Sequence, residues 1–172
     1  KAPKYKLIRI NMDRSDIGSW EDVLPEQKDM LSGATLAGGH LVATYMVDVA
    51  SRMSVYSLQG ELVRDIDLGV LGSAGYVSGR MEDDLAFFSY TSYTVPSVVY
   101  QYQVSTGEMK EIFRPKVDFD FDKYKVDRVF YKSHDGTEIP MFIVCRKGRT
   151  RLYSTVMVDL TSALHPTLAL LG

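Results

Sequence analysis

Cysteine is nearly absent from this 172-residue sequence: Cys145 stands alone. No intrachain disulfide can therefore staple the fold, and a reducing, cytoplasmic location is the expectation. Cys145 lies in an apolar, strand-like run, the setting of a small buried hydrophobe rather than a nucleophile. No apolar run reaches the roughly 18 residues of a membrane-spanning helix, so no membrane partner is expected. The opening KAPKYKLIRI has no apolar signal core and enters strand-like alternation at once. It also lacks an initiator Met, so the chain is expected to begin partway through something longer. Charge of one sign is lacking too: 20 Lys and Arg face 22 Asp and Glu, for a net −2. The short run Arg146–Arg151 is no basic stripe, which argues against a nucleic-acid partner. Tryptophan occurs once, against 11 Tyr and 7 Phe. That balance favours β structure, where aromatic side chains fit the pleated surface. A chain of this length buries roughly 70% of its extended surface, enough for a core without staples.

Catalytic signatures are also missing. A nucleophile elbow needs Gly-x-Ser-x-Gly, because the tight strand-to-helix turn leaves no room for larger neighbours. No serine has glycine two residues away on both sides, and in Gly72–Tyr76 (GSAGY) Leu71 takes the place of the first glycine. That segment lies between repeat units, where its glycines suit a blade-to-blade turn. His40, His134 and His165 are far apart and have no partner at a metal-ligand spacing. Asp118, Asp120 and Asp122 imitate the start of a calcium loop, but Lys123 stands where it needs Gly and Val129 where it needs Glu. The glycines from Gly69 to Gly79 match no phosphate-binding pattern. No cofactor and no metal is expected.

One constellation needs a decision. Ser133, His134 and Asp135 are the three residue types of a serine-hydrolase triad, set side by side. A triad needs the base to reach the nucleophile with one nitrogen and a carboxylate with the other, at roughly 2.6–3.2 Å. Consecutive side chains on a strand alternate faces, and those in a tight turn splay. Asp135-Gly136 between two apolar strands is instead a hairpin signal. The residues predict a turn, and no catalytic residue is assigned to the chain; substrate-contacting residues are unknown at this level.

A repeat organises what is present. His40–Leu68 and Asp84–Phe113 both read strand, turn, strand, Gly-Glu turn, strand. Leu41 and Tyr45 correspond to Leu85 and Tyr90, and Gly60-Glu61 to Gly107-Glu108, the offset drifting from 44 to 47 residues. Each unit alternates apolar and polar, as half-exposed strands do. Half of an earlier unit precedes them, KYKLIRINMD and SWEDVLP, joined through Asp16 and Gly18. Repeats of roughly 40–50 residues with four short strands are the signature of a β-propeller blade. The prediction is mainly β: a partial propeller of about two and a half four-stranded antiparallel blades, with open edges that invite self-association. A plain antiparallel meander is the alternative.

Three segments resemble one family. Phe87–Glu108, with its aromatic, Thr-Ser-aromatic and Pro before an apolar-Tyr strand, is similar to the last blade of the prolyl oligopeptidases. Val126–Gly148 (VDRVFYKSHDGTEIPMFIVCRKG) resembles the hairpin with which their catalytic domain resumes after the propeller. Lys28–Glu61 matches a preceding blade in order and spacing. The resemblance covers Lys1 to Gly148. It implies C-terminal propeller blades over 1–115, a connector over 116–125, and over 126–172 the first, truncated strands of an α/β-hydrolase domain. In this family the propeller restricts access to large substrates and the enzyme cleaves short, proline-containing peptides after proline by acyl transfer from a serine; some relatives form cyclic peptides. The family's nucleophile, acid and base lie beyond the matched hairpin, so the resemblance implies a fragment inactive alone. The alternative is a non-catalytic module acting by association.

The tail departs from the family pattern. His165–Gly172 (HPTLALLG) is similar to the family's His-Pro and following strand, but Leu170, Leu171 and Gly172 replace the start of the turn that supplies an oxyanion tyrosine. The intervening Arg149–Leu164 is long and dissimilar. An inserted loop, a read-through of non-coding sequence and a gene-model error all fit it.

Overall fold

The computed structural model describes residues 2–14, 16–148 and 152–155, the last four by backbone alone. Strands β1 (Leu7–Arg9) and β2 (Glu21–Leu24) form an antiparallel pair. A four-stranded sheet follows in simple order, β3 (Met30–Ala37), β4 (His40–Val47), β5 (Ala50–Tyr56) and β6 (Leu62–Ile66). The last blade comprises β7 (Ser73–Ala74), β8 (Ser78–Arg80), β9 (Asp83–Ser92), β10 (Val95–Gln103) and β11 (Met109–Phe113). Its order is β11-β10-β9-β7, with β8 also on β9. A separate sheet joins β12 (Tyr124–Lys132), β13 (Glu138–Arg146) and β14 (Leu152–Thr155). The architecture is mainly β, a partial propeller arc of two and a half blades followed by a hairpin.

Two apolar layers hold the arc together. Between the leading pair and the central blade lie Val23, Leu24, Leu31, Leu41, Ala43, Tyr45 and Tyr56. Between the central and last blades lie Val42, Met53, Val55, Ile66, Phe88, Tyr90 and Tyr102, among others. Burying each large side chain contributes roughly 1.5–3 kcal/mol, so blade stacking dominates the stability of the arc. Backbone bonds stitch the neighbours: the Gly38 N–H donates to the Arg80 carbonyl at 3.1 Å and the Gly39 N–H to that of Met81 at 2.9 Å.

Three details depart from the sequence reading. Strict apolar-polar alternation fails on the central blade, where Leu41, Val42, Ala43, Thr44 and Tyr45 are all buried. That sheet has a neighbour on each face, so both sides of β4 are core. The expected blade-to-blade turn at Gly72–Tyr76 contains a short strand, because Ser73 and Ala74 pair with Thr91 and Tyr90. Strand β12 also starts at Tyr124, two residues inside the expected connector. It does so because Tyr124 and Lys125 pair across to Arg146 and Cys145. The His165–Gly172 segment lies outside the described residues.

Candidate functional site

The Ser133–Asp135 stretch forms the turn between β12 and β13. The Ser133 N–H donates to the Thr137 carbonyl at 2.8 Å and the Gly136 N–H to the Ser133 carbonyl at 2.9 Å. Gly136 takes φ 84°, which a side chain would resist. Ser133 Oγ does lie 3.3 Å from His134 Nδ1. The third member is committed elsewhere: Asp135 Oδ1 accepts the Thr137 N–H at 3.0 Å. That backbone bond, ahead of the Thr137 and Ser133 hydroxyls, holds the Asp135 carboxyl below its usual range. Asp135 therefore orders the turn and does not orient the imidazole, so the geometry is that of a hairpin tip.

The same three residue types meet again at the far end of the last blade, a grouping that sequence reasoning missed because 65 positions separate His40 from Ser105. Ser105 Oγ donates to Asp84 Oδ2 at 2.5 Å and the Ser105 N–H to Oδ1 at 2.8 Å. The hydroxyl bond is the main cause that keeps the Asp84 carboxyl low. His40 Nδ1 lies 2.7 Å from the Gly38 carbonyl. Here the serine hydroxyl donates its hydrogen bond directly to the carboxylate, leaving no base between them; the group fastens the β10–β11 turn to the start of β9.

The remaining candidates are structural in the same sense. Cys145 is buried within β13. In the acidic connector, Asp120 pairs with Lys123 at 2.8 Å. Phe119 stacks on Tyr124 and meets Phe121 edge-on, with centroids 5.1 and 4.7 Å apart. Among the described residues no group of three or more His, Cys, Asp or Glu is placed to hold a metal ion. No described helix is long and apolar enough to cross a membrane.

Two of the concave regions among the described residues lie where the arc meets a neighbouring segment. A cleft of about 830 Å³ runs beside β1, floored by Leu7, Val23, Ala34, Leu36, Leu41 and Leu58 and rimmed by Arg9, Arg80 and Glu82. One edge of β1 pairs with β2; no described strand pairs with the other.

The second region, a smaller cavity of about 180 Å³, lies where the β12–β13 hairpin returns to the arc. Val49, Leu71, Thr91, Tyr93 and Phe142 line it with three small residues between them. The Tyr93 and Phe142 rings are 5.4 Å apart, and Arg128 Nη1 stands 3.6 Å from Asp48 Oδ2. The Thr-Ser-aromatic motif thus ends β9 and opens the β9–β10 turn at this junction, where the Thr94 N–H donates to Ser92 Oγ at 3.1 Å. The Arg128–Asp48 contact left no trace in the sequence, since 80 positions separate its partners.

Comparison with known proteins covers most of the chain. The family model described as prolyl oligopeptidase, N-terminal beta-propeller domain, matches residues 1–114. A prolyl endopeptidase of Elizabethkingia meningoseptica is 35% identical over 147 residues, covering 86% of this chain and 21% of the relative. The dual function macrocyclase-peptidase POPB of Galerina marginata is 31% identical over 153 residues, covering 86% of this chain and 21% of its own length. Among solved structures, one from a mechanistic comparison of two prolyl endopeptidases superposes with a TM-score of 0.79 at 34% identity, over 86% of this chain and 22% of that one. Prolyl oligopeptidase B from Galerina marginata superposes at 0.74 and 28% identity, again over 86% of this chain and 22% of that one. The chain spans about a fifth of the relatives it matches.

Proposed function

The chain belongs to the prolyl oligopeptidase family, and from that membership we propose that it forms the closing blades of the propeller and the entry into the hydrolase domain of a post-proline serine peptidase. One observation carries the reading: after the last blade the chain continues into a separate sheet whose hairpin folds back onto the blade turns. The bounds proposed are propeller blades over 1–115, a connector over 116–125 whose last two residues already pair in β12, and hydrolase strands over 126–172. The longer enzyme would act on short proline-containing peptides by acyl transfer, with a serine nucleophile, a histidine base and an oxyanion hole. Its propeller would limit substrate size. A macrocyclising parent is the second form of this reading, favoured by the similarity to the Galerina macrocyclase-peptidase. Cytoplasmic location, and freedom from nucleic-acid and membrane partners, complete the proposal.

The chain alone is inert in this reading, because none of its described serines is coupled to a base that a carboxylate orients. It also self-associates: Phe87, Ile112 and Phe113 are exposed on the last blade, and β1 and β11 each leave one edge unpaired among the described strands. One preparation tests both points. The purified chain should give no serine-inhibitor-sensitive turnover of a fluorogenic proline-containing dipeptide, and should sediment as a concentration-dependent oligomer. Inhibitor-sensitive turnover would sink the first statement; a monodisperse monomer would sink the second.

A further inference from the structure

Arg128 and Phe142 are directly opposite each other on β12 and β13, so their side chains emerge on one face of the hairpin. From that one position they reach two different blades. Arg128 meets Asp48 in the β4–β5 turn of the central blade, and Phe142 meets Tyr93 in the β9–β10 turn of the last blade. Arg128 is held in place from its own strand as well, its guanidinium carbon 5.6 Å from the Phe130 ring centroid.

The two contacts differ in strength. At the ionic one, the side chains of Arg128 and Asp48 are 26% and 49% exposed, so water and salt screen the pair. At the apolar one, Phe142 is 3% exposed and salt does not weaken it. The turn carrying Asp48 is also under backbone strain. Asp48 and Val49 both have positive φ, 46° and 66°, between the paired residues Val47 and Ala50. A two-residue hairpin of this kind favours Asn-Gly or Asp-Gly. A β-branched residue there is an outlier, and such strain gathers at sites with a task. Val49 lines the junction cavity with Tyr93 and Phe142, where glycine would leave a void.

We infer that Asp48, Val49, Tyr93, Arg128 and Phe142 form a two-point clamp that seats the hairpin on the propeller, with an ionic point that opens readily and an apolar point that keeps the register. Its consequence, control over how easily the propeller and hydrolase parts separate, rests on the peptidase reading. The clamp itself does not, because its test involves no activity.

The test is a double-mutant cycle in the full chain, using Asp48→Asn, which tolerates the left-handed turn, Arg128→Gln and both together. The readouts are nuclear Overhauser contacts between the Tyr93 and Phe142 rings and hydrogen exchange of β12 and β13. The blade contact Phe88–Tyr100, with centroids 5.8 Å apart, serves as the folding control. Each single variant, like wild type in high salt, should speed hairpin exchange about two- to fivefold, as for an exposed ion pair. The double variant should be no faster than either single one. Phe142→Leu should abolish the ring contact and make exchange insensitive to Asp48→Asn. Additive effects of the two neutralisations, or a ring contact missing from the wild type with Phe88–Tyr100 intact, would overturn the clamp. Hydrolysis by a longer form bears only on the peptidase reading.

Discussion

Gly60 and Gly136 occupy equivalent places in two hairpin turns, with φ 87° and 84°, yet the same substitution separates them. A Cβ on Gly60 would lie 1.9 Å from the Val23 carbonyl oxygen of the leading pair, whereas one on Gly136 would meet nothing within 4 Å. Gly136→Ala therefore carries only the left-handed backbone penalty, about 1–2 kcal/mol. Gly60→Ala adds a backbone collision between two blades, for a total of about 3 kcal/mol or more. Urea unfolding of the two variants should rank them in that order, and equal midpoints would contradict the stacking described. The same local view explains Ser133, His134 and Asp135: the carboxylate that could orient the imidazole binds the backbone two residues on.

At the scale of single elements, the sequence showed what depends on near neighbours. The Asp135-Gly136 turn, the Gly60 and Gly107 turns and the strands they join were legible because turn chemistry acts within a few residues. The double burial of β4 was not, since it depends on a second blade packing behind it. Nor was β7, a two-residue strand too short to show a period. At the candidate junction the Thr91-Ser92-Tyr93 motif was legible and its partner Phe142 was not, because that contact crosses 49 positions of chain.

Blade stacking also sets a pH limit. The Tyr90 phenol, buried between blades with its hydroxyl donating to the Val70 carbonyl, is pushed up to about 12 by burial and then by Tyr100. Its ordinary value is 10.0. Below about 10 the phenol is protonated in both folded and unfolded chains, and its stabilising contribution is complete. From about 10 to 12 only the unfolded chain sheds the proton, so roughly 2–3 kcal/mol is lost with rising pH. Tyr45 is displaced upward by burial in the other layer as well. Comparison with Tyr90→Phe should show the Tyr90 phenolate appearing only as the β-sheet circular dichroism collapses. A Tyr90 phenolate near pH 10 in an intact sheet would count against the packing.

Over the whole molecule, stability and incompleteness have one origin. Blades are stabilised by having neighbours, and the central blade, with one on each face, has the most complete core. The outer blade shows Phe87, Ile112 and Phe113 to solvent, and β1 borders an apolar cleft with an unpaired edge. These surfaces suit further blades in a longer protein, as the one-fifth coverage of the relatives suggests. In the reading proposed above, the hairpin seated on two blade turns would be the first contact between propeller and hydrolase. The most direct test is to read the transcript on either side of the codons for Lys1 and Gly172. The account predicts an open frame with further blade repeats upstream and a Gly-x-Ser-x-Gly elbow downstream. A stop codon directly after Gly172 would contradict it and leave a propeller module without catalytic machinery.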